Sequence, residues 1–432
     1  MDNRLDVLVF GASGFTGKYT LPYVHKLLNE NGKNLSWGVS GRSHQKLKKV
    51  LKEIANKIGE NSLNEIPIIL ADLTDQDSIL RMTARAKVII NCCGPYQKYG
   101  EAVVKSCIKT GTHYVDVSGE SFFQETIEVK YQEAAEVKGV YIISACGFDS
   151  VATELGMSYL NNIFAGTLNS IEIYVSPKGK KVDSGPSVHY GTWESAVNGI
   201  SMVRKVASLQ RCRNLKPIPN FYPILWSRFP FTRAVDIGKP NKYIVPFPSP
   251  DYYVVQRTQR YFYENNGKRP IQVKFYTLMN TWIYMFFAMF YGFIVFTMCQ
   301  FQYGRNLLLK YPEFFTNGYF SHSDPSEAAI NNSVLNMYFY GKGWKGKIAD
   351  KQNQYNSPPN QAIVAQLTVR NPGYGFTCLA LALAAVTILT ESSRLPEKGG
   401  VYTPAVAFCN TSYMEEIQKK SKAVEVLEIK DL

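Results

Sequence analysis

Leu5-Asp6-Val7-Leu8-Val9-Phe10-Gly11-Ala12-Ser13-Gly14-Phe15-Thr16-Gly17 decides the fold of this 432-residue chain. Residues 5–10 read as a strand buried on both faces. Glycines spaced GxxGxxG follow at once and open a helix near Phe15–Asn31. Gly11 permits the tight turn, Gly14 lets a pyrophosphate approach the backbone, and Gly17 lets helix and strand lie close. The helix start offers free N–H groups and a positive dipole end to an anion. The alternative is a simple strand–helix turn. Its place in the first βα unit points instead to a dinucleotide, with Ser13, Phe15 and Thr16 as further contacts.

Outward from this loop, apolar runs recur at Leu35–Ser40, Ile66–Ala71, Lys87–Cys93, His113–Val117 and Val140–Ala145. Between them, residues 43–58 place Leu47, Val50, Leu51, Ile54 and Ile58 on one helical face, and 121–138 does so less cleanly. The alternation predicts an α/β fold: a doubly wound parallel sheet of six strands in the order 3-2-1-4-5-6, a Rossmann domain over 1–160. The second strand ends Ser40-Gly41-Arg42-Ser43, where an NAD site would want an acid. Arg42 and Ser43 suit a 2′-phosphate, which favours NADP(H) over NAD(H). The plainer reading makes Arg42 a solvated cation and Ser43 a helix cap. Asp72, ending the third strand, is placed to meet the adenine, unless it or Thr74 only caps the next helix.

Ligands of such a sheet lie at the carboxyl ends of the strands. The fourth ends Asn91-Cys92-Cys93-Gly94-Pro95-Tyr96, which sets Cys93, Gly94, Pro95 and Tyr96 beside the nicotinamide. The fifth ends Asp116-Val117-Ser118-Gly119-Glu120, and the sixth Cys146-Gly147-Phe148-Asp149-Ser150 before a helix at Ala152–Leu160. Hydride transfer needs positioning and a proton donor, not a protein nucleophile. Tyr96, Asp149 and His189 are the first candidate donors; Asp116, Glu120, Tyr190 and Glu194 follow. For each a structural role competes. Asp149 or Ser150 at a helix start is first of all an N-cap, and one His among five is usually a satisfied polar group. No hydrolase triad order, HExxH or Walker A pattern appears, and no metal site is expected.

After residue 160 the pattern changes. Residues 168–175 and 186–192 read as strands, Trp193–Leu209 as a helix, 325–340 as a helix, 341–359 as a hairpin loop, Ala362–Val369 as a strand, and the tail from Glu415 as a solvated helix end. The unit 161–373 is expected to be a second α/β domain. Between Ile200 and Lys274 stand 14 Lys/Arg against 3 acids, a surplus of +11 within a total of +13. Phe275–Gly304 then carries no charge, and Ile283–Cys299 is apolar all round with interfacial Trp282, Tyr284, Tyr291 and Tyr303. At about 17 residues this core is at the lower limit for crossing a bilayer. Insertion of 275–304 in a membrane or lipid droplet, aided by the basic stretch 204–274, is favoured over a buried or dimer-interface helix. A homodimer stays open as the alternative use of that face. Tyr374–Glu391, rich in Ala and Leu, fits a packed core helix better than a second span.

A hydrophobic content of 45% excludes intrinsic disorder, and no repeat suggests a solenoid. The basic surplus would suit nucleic acid, but no nucleic-acid-binding fold is recognisable, so none is expected as a partner. Eight cysteines without a CxxC pair, and no basic region ahead of a long apolar one, predict a reduced, cytosol-facing and non-secreted protein.

Gly11–Gly17, Asn91–Tyr96, YVDVSGE at 114–120 and CGFDS at 146–150 together resemble the saccharopine dehydrogenase family, in its saccharopine dehydrogenase-like oxidoreductase branch. Gly191-Thr192-Trp193, Arg257–Tyr261, Gly318-Tyr319-Phe320 and Gly399–Pro404 extend the likeness over nearly the whole chain. The resemblance implies a Rossmann domain binding NAD(P), a second α/β domain, and a C-terminal part, 374–432, that packs back on the first. It also implies an association with lipid droplets or mitochondria, and kinship to trans-acting enoyl reductases of lipid and glycolipid assembly. This chain departs in its aromatic stretch and in Ala152, where the family often has Pro. The expectation is an NADP(H)-dependent reductase of a hydrophobic small-molecule or lipid substrate. The alternatives are a non-catalytic droplet scaffold or redox sensor, and a true saccharopine dehydrogenase of lysine metabolism. Cations to hold that amino-dicarboxylate have no match here.

Overall fold

The structure, a computed structural model, describes residues 4–30, 34–178, 186–212, 218, 221–228, 232, 234, 242–346, 357–421 and 424–431. The chain first alternates β1 (Leu5–Phe10), α1 (Phe15–Asn29), β2 (Trp37–Gly41), α2 (His44–Ile58), β3 (Ile68–Leu70), α3 (Gln76–Thr83), β4 (Ala86–Asn91), α4 (Tyr96–Thr110), β5 (His113–Asp116), α5 (Ser121–Lys138), β6 (Tyr141–Ile143) and α6 (Phe148–Ile163). It continues β7 (Gly166–Lys178), β8 (Val188–His189), α7 (Tyr190–Cys212), β9 (Tyr243–Pro246), α8 (Asp251–Asn266), β10 (Gln272–Met279), α9 (Trp282–Cys299), α10 (Gln302–Lys310), α11 (Pro312–Phe315), β11 (Phe320–Ser321), α12 (Glu327–Asn332), β12 (Val334–Lys345) and β13 (Gln361–Arg370). Last come α13 (Thr377–Thr390), β14 (Gly400–Tyr402), α14 (Pro404–Ala407), α15 (Tyr413–Ser421) and β15 (Val424–Asp431).

The first sheet is parallel throughout, in the order β3-β2-β1-β4-β5-β6-β14. The expected doubly wound order is present with a seventh strand, β14, which the far end of the chain lays beside β6. Val7, Leu8 and Val9 are fully buried, as a strand covered on both faces requires. α2 buries Leu47, Val50, Leu51 and Ile54 and stops at Gly59, which takes the left-handed conformation that only glycine adopts freely. α13 is the core helix its Ala and Leu content suggested: every residue from Thr377 to Ile388 is buried. It lies on α1 and backs β4 and β5, so its small Ala380, Ala384 and Ala385 permit a close approach.

The second sheet runs β15-β13-β12-β7-β10-β9 and is antiparallel except for β7 beside β10. Its faces separate by alternation. Ile171, Ile173, Phe339 and Ile363 face the core shared with Leu155 and Leu160 of α6, while Tyr174, Tyr276, Tyr338 and Tyr340 build a second cluster. A two-stranded piece, β8 with β11, sits apart.

Several expectations change. The uncharged stretch 275–304 divides: 275–279 belongs to β10, and the apolar centre read at 283–299 is α9, 282–299. The helix expected over 325–340 is short and gives way to β12, because the aromatics Tyr338, Phe339 and Tyr340 fit a pleated sheet core. β12 itself runs into the expected hairpin loop, of which 347–356 lies outside the described residues. The strand read over 186–192 shrinks to two residues, since α7 already starts at Tyr190. The tail is not only a helix end: β15 pairs with β13 in the second sheet, with a bulge where Val426 and Leu427 break the alternation.

Three cations of the basic stretch are used inside the molecule, while Arg204, Lys205 and Lys268 are exposed. Arg228 forks onto the buried carboxylate of Glu172 at 2.6 and 2.9 Å. Arg257 pairs with Glu128, and Arg269 bonds Asn169 while stacking over Phe221. Arg213, Lys216, Arg233 and Lys239 lie outside the described residues.

Candidate functional site

The glycine loop joins β1 to α1 over the end of the first sheet. Gly11 has φ +83°, donates to the Ser40 carbonyl at 2.9 Å, and accepts from Gly14 N–H at 2.9 Å. A Cβ on Gly17 would stand 2.2 Å from the Gly11 oxygen, and one on Gly11 2.6 Å from Cys93 Sγ. Only glycine closes this turn. Gly14 occupies the cap position of α1, and no side chain caps the helix. The first-turn N–H groups therefore face out beside a flat glycine surface, which fits a dinucleotide's diphosphate. Ser13 Oγ lies near the bare backbone of Gly41. Thr16 lends its backbone carbonyl to Thr20 Oγ1 at 2.8 Å.

Phe15, the first residue of α1, turns away from the loop. Its ring stacks on His189 at 4.7 Å and meets Tyr374 edge-on at 4.7 Å. His189 Nδ1 accepts from Gly191 N–H at 3.0 Å, and Nε2 faces Asp324 at 3.4 Å. Burial outweighs that carboxylate and lowers the imidazole's pKa. The second half of the chain thus packs through β8 on the first residue of α1.

At the second strand, Ser43 is the N-cap of α2, accepting from Lys46 N–H. Arg42 is exposed just past β2. Asp72 is held as a carboxylate by Thr74 N–H and hydroxyl, with Arg42 adding attraction. The cap of α3 is neither Asp72 nor Thr74 but Asp75.

At the fourth to sixth strands the candidates separate. Tyr96 is buried and its hydroxyl donates to the Asn91 carbonyl at 3.0 Å, which leaves it no free proton for a ligand. Glu120 caps α4, accepting from Tyr96 N–H and Gln97 N–H, and also from Ser195 of α7. Asp116 ties the ends of β5 and β6 together by accepting from Ser118 N–H, Ala145 N–H, Tyr114 and Ser144; burial raises its pKa to about 6. Burial pushes Cys93 up to about 12, which keeps it a thiol, while Gly94 and Pro95 join β4 to α4. α6 is not capped by Asp149 or Ser150. Gly147 holds the cap position, and Phe148 N–H donates to Thr377 Oγ1 of α13. Asp149 stays accessible in the first turn, and Ser150 donates to Asp251. Asp251 is buried, and desolvation and the charge of Asp149 raise its pKa. Glu194 is half-buried near Glu120, Lys98 and His322, and Tyr190 lies against His322 at 4.2 Å. Of the candidate donors, Asp149, His189, Tyr190 and Glu194 keep an open face.

Sequence reading missed Asp251, Asp324 and Tyr374. Ser249-Pro250-Asp251 carries a helix-start signal that could have found the first. The other two meet His189 from 135 and 185 residues away, and no local pattern announces such a contact.

Residues 7–143 match the saccharopine dehydrogenase NADP binding domain. Over 419 residues the chain is 38% identical to the saccharopine dehydrogenase-like oxidoreductase of Homo sapiens, covering 96% of this chain and 95% of that one. The chain belongs to the saccharopine dehydrogenase family. It is an oxidoreductase of that family, and its first domain is of the type that binds a nicotinamide cofactor. A second relative, 33% identical over 418 residues and 95% of each chain, is the lipid droplet localized protein of Caenorhabditis elegans. Among solved structures, apo saccharopine dehydrogenase (L-Glu forming) from Saccharomyces cerevisiae aligns over 99% of this chain and all of its own, with a TM-score of 0.52 at 13% identity. That likeness shows that the family's two-domain fold is shared.

Proposed function

We propose that this family member is an NADP(H)-dependent oxidoreductase whose hydrophobic substrate comes from a lipid-droplet or membrane surface. The carrying observation is the uncapped start of α1 beside Gly11, Gly14 and Gly17. There Ser13 and the N–H groups of Phe15, Thr16 and Gly17 would hold the diphosphate. Arg42 would meet the 2′-phosphate, and Gly94 and Pro95 would floor the nicotinamide. The bound cofactor supplies hydride chemistry. The protein orients it and offers a proton from Asp149, Glu194 or His189. The exposed apolar helix α9 and the name of the droplet-localised relative support the lipid surface.

The test follows NADPH oxidation by the full-length protein with enoyl or keto lipids in phosphatidylcholine-coated droplets. Turnover with lipid and none with saccharopine is expected. NADPH binding without turnover of any acyl lipid would contradict the substrate assignment. A non-catalytic role at the droplet is the second reading, favoured by the commitment of Tyr96, Asp116 and Glu120 to structural hydrogen bonds.

A further inference from the structure

α9 is apolar all round, yet it does not leave the molecule. Met285 in its second turn and Val295 and Cys299 near its end are buried against the protein. Val295 and Cys299 share a cluster with Trp193 and Val197 of α7 and Leu308 of α10. The helix follows β10 directly and is followed at once by α10, and both belong to the same body. Each end carries polar groups. Thr281 caps the start by accepting from Tyr284 N–H at 3.2 Å, and Lys242 bonds Asn280 just before it. Arg305 closes the other end by donating to the Cys299 carbonyl at 2.9 Å. The opposite face presents Phe286, Phe287, Phe290, Phe293 and Phe296, which are 53, 59, 57, 68 and 44% exposed.

Eighteen residues would reach across a hydrocarbon core by length. A crossing helix, however, delivers its second end to the far side, whereas here both ends return to one protein body. Nor is α9 an ordinary surface helix, since no polar stripe faces outward to stay among headgroups. We infer that α9 lies flat and submerged beneath the headgroups of a phospholipid monolayer over neutral lipid, with the globule above it. A submerged helix adds volume to one leaflet only. A droplet's fluid core accommodates this, while a bilayer's opposing leaflet resists. The inference rests on the lipid-surface reading proposed above and adds its geometry.

The test uses the full chain with Cys409→Ser and single nitroxide labels through Ile283→Cys, Phe290→Cys or Thr297→Cys. These positions lie seven residues apart on one exposed face. Thermal unfolding matching the parent certifies each labelled protein. The probes are trioleoylglycerol droplets coated with phosphatidylcholine and bilayer vesicles of the same phospholipid. On droplets, all three labels are expected at one depth, within about one helical turn, shielded from a water-soluble relaxant. Retention on droplets is expected to exceed that on vesicles at least tenfold. Depths graded over roughly 21 Å from 283 to 297 would overturn the flat geometry while leaving lipid contact intact. Equal retention on vesicles would overturn the choice of a monolayer. Labels that stay in water on both probes would overturn the inference together with the lipid-surface reading.

Discussion

The imidazole of His189 stacks on the ring of Phe15 at 4.7 Å with 18° between their planes. One residue comes from β8, the other opens the helix that follows the glycine loop. The second half of the chain is thereby placed as a wall of the proposed dinucleotide site. Replacing His189 with Ala removes this ring and the Nδ1 acceptor of Gly191. A loss of cofactor affinity of about tenfold is expected by calorimetry, with the His189→Phe protein, which keeps the stack, retaining most of it. Equal affinity in all three proteins would detach this wall from the site.

Arg42 is exposed beside Asp72 at the ends of β2 and β3. A guanidinium on a phosphate contributes about 1.5–3 kcal/mol. Arg42→Ala is expected to weaken NADPH about 10- to 100-fold and leave NADH unchanged, read by competition binding. An equal effect on both nucleotides would assign Arg42 to something other than the 2′-phosphate.

How much of this was legible beforehand differs between the two halves. Leu5–Gly17 specified strand, turn and helix because a doubly buried strand and a close-packed glycine leave few other readings. α13 was readable from its small residues. β12 was not, because Ser333–Tyr340 has no sharp period and only the register against β7 and β13 decides it. In the site, the loop residues could be named from spacing. Tyr96 and Asp116 looked like proton donors, but they serve strand ends through partners that only the fold brings near.

Glu172 is 3% exposed at its side chain and its charge is matched by Arg228. Removing one partner of such a pair strands a buried charge, at a cost of about 3–5 kcal/mol. Arg228→Met is expected to destabilise the protein by that order in denaturant unfolding. The double replacement Arg228→Met with Glu172→Leu should recover most of it. Failure of the second change to rescue the first would contradict a buried ion pair.

His113 accepts from Tyr141 N–H through Nδ1, and burial, with Arg4 adding to it, lowers its pKa to about 4. The folded protein therefore resists protonation that the unfolded chain accepts from its usual pKa of about 6.5. His113 should cost stability as pH falls from about 6.5 to 4, by about 3 kcal/mol in total. Asp116 and Glu154, both raised by burial, act in the opposite sense over an overlapping range. The clean measurement is the difference between the parent and His113→Asn, followed by unfolding at several pH values. A difference that does not move with pH would refute the shifted histidine.

The most direct measurement is calorimetry of the intact, folded protein with NADPH, NADH and their oxidised forms, alongside Gly17→Val. The added side chain starts 2.2 Å from the Gly11 oxygen, so the loop must open. Heat of binding with the parent, strongest for the phosphorylated nucleotides, and none with a folded Gly17→Val protein is the expected result. A parent that binds neither nucleotide, or a Gly17→Val protein that binds as well as the parent, would contradict the account.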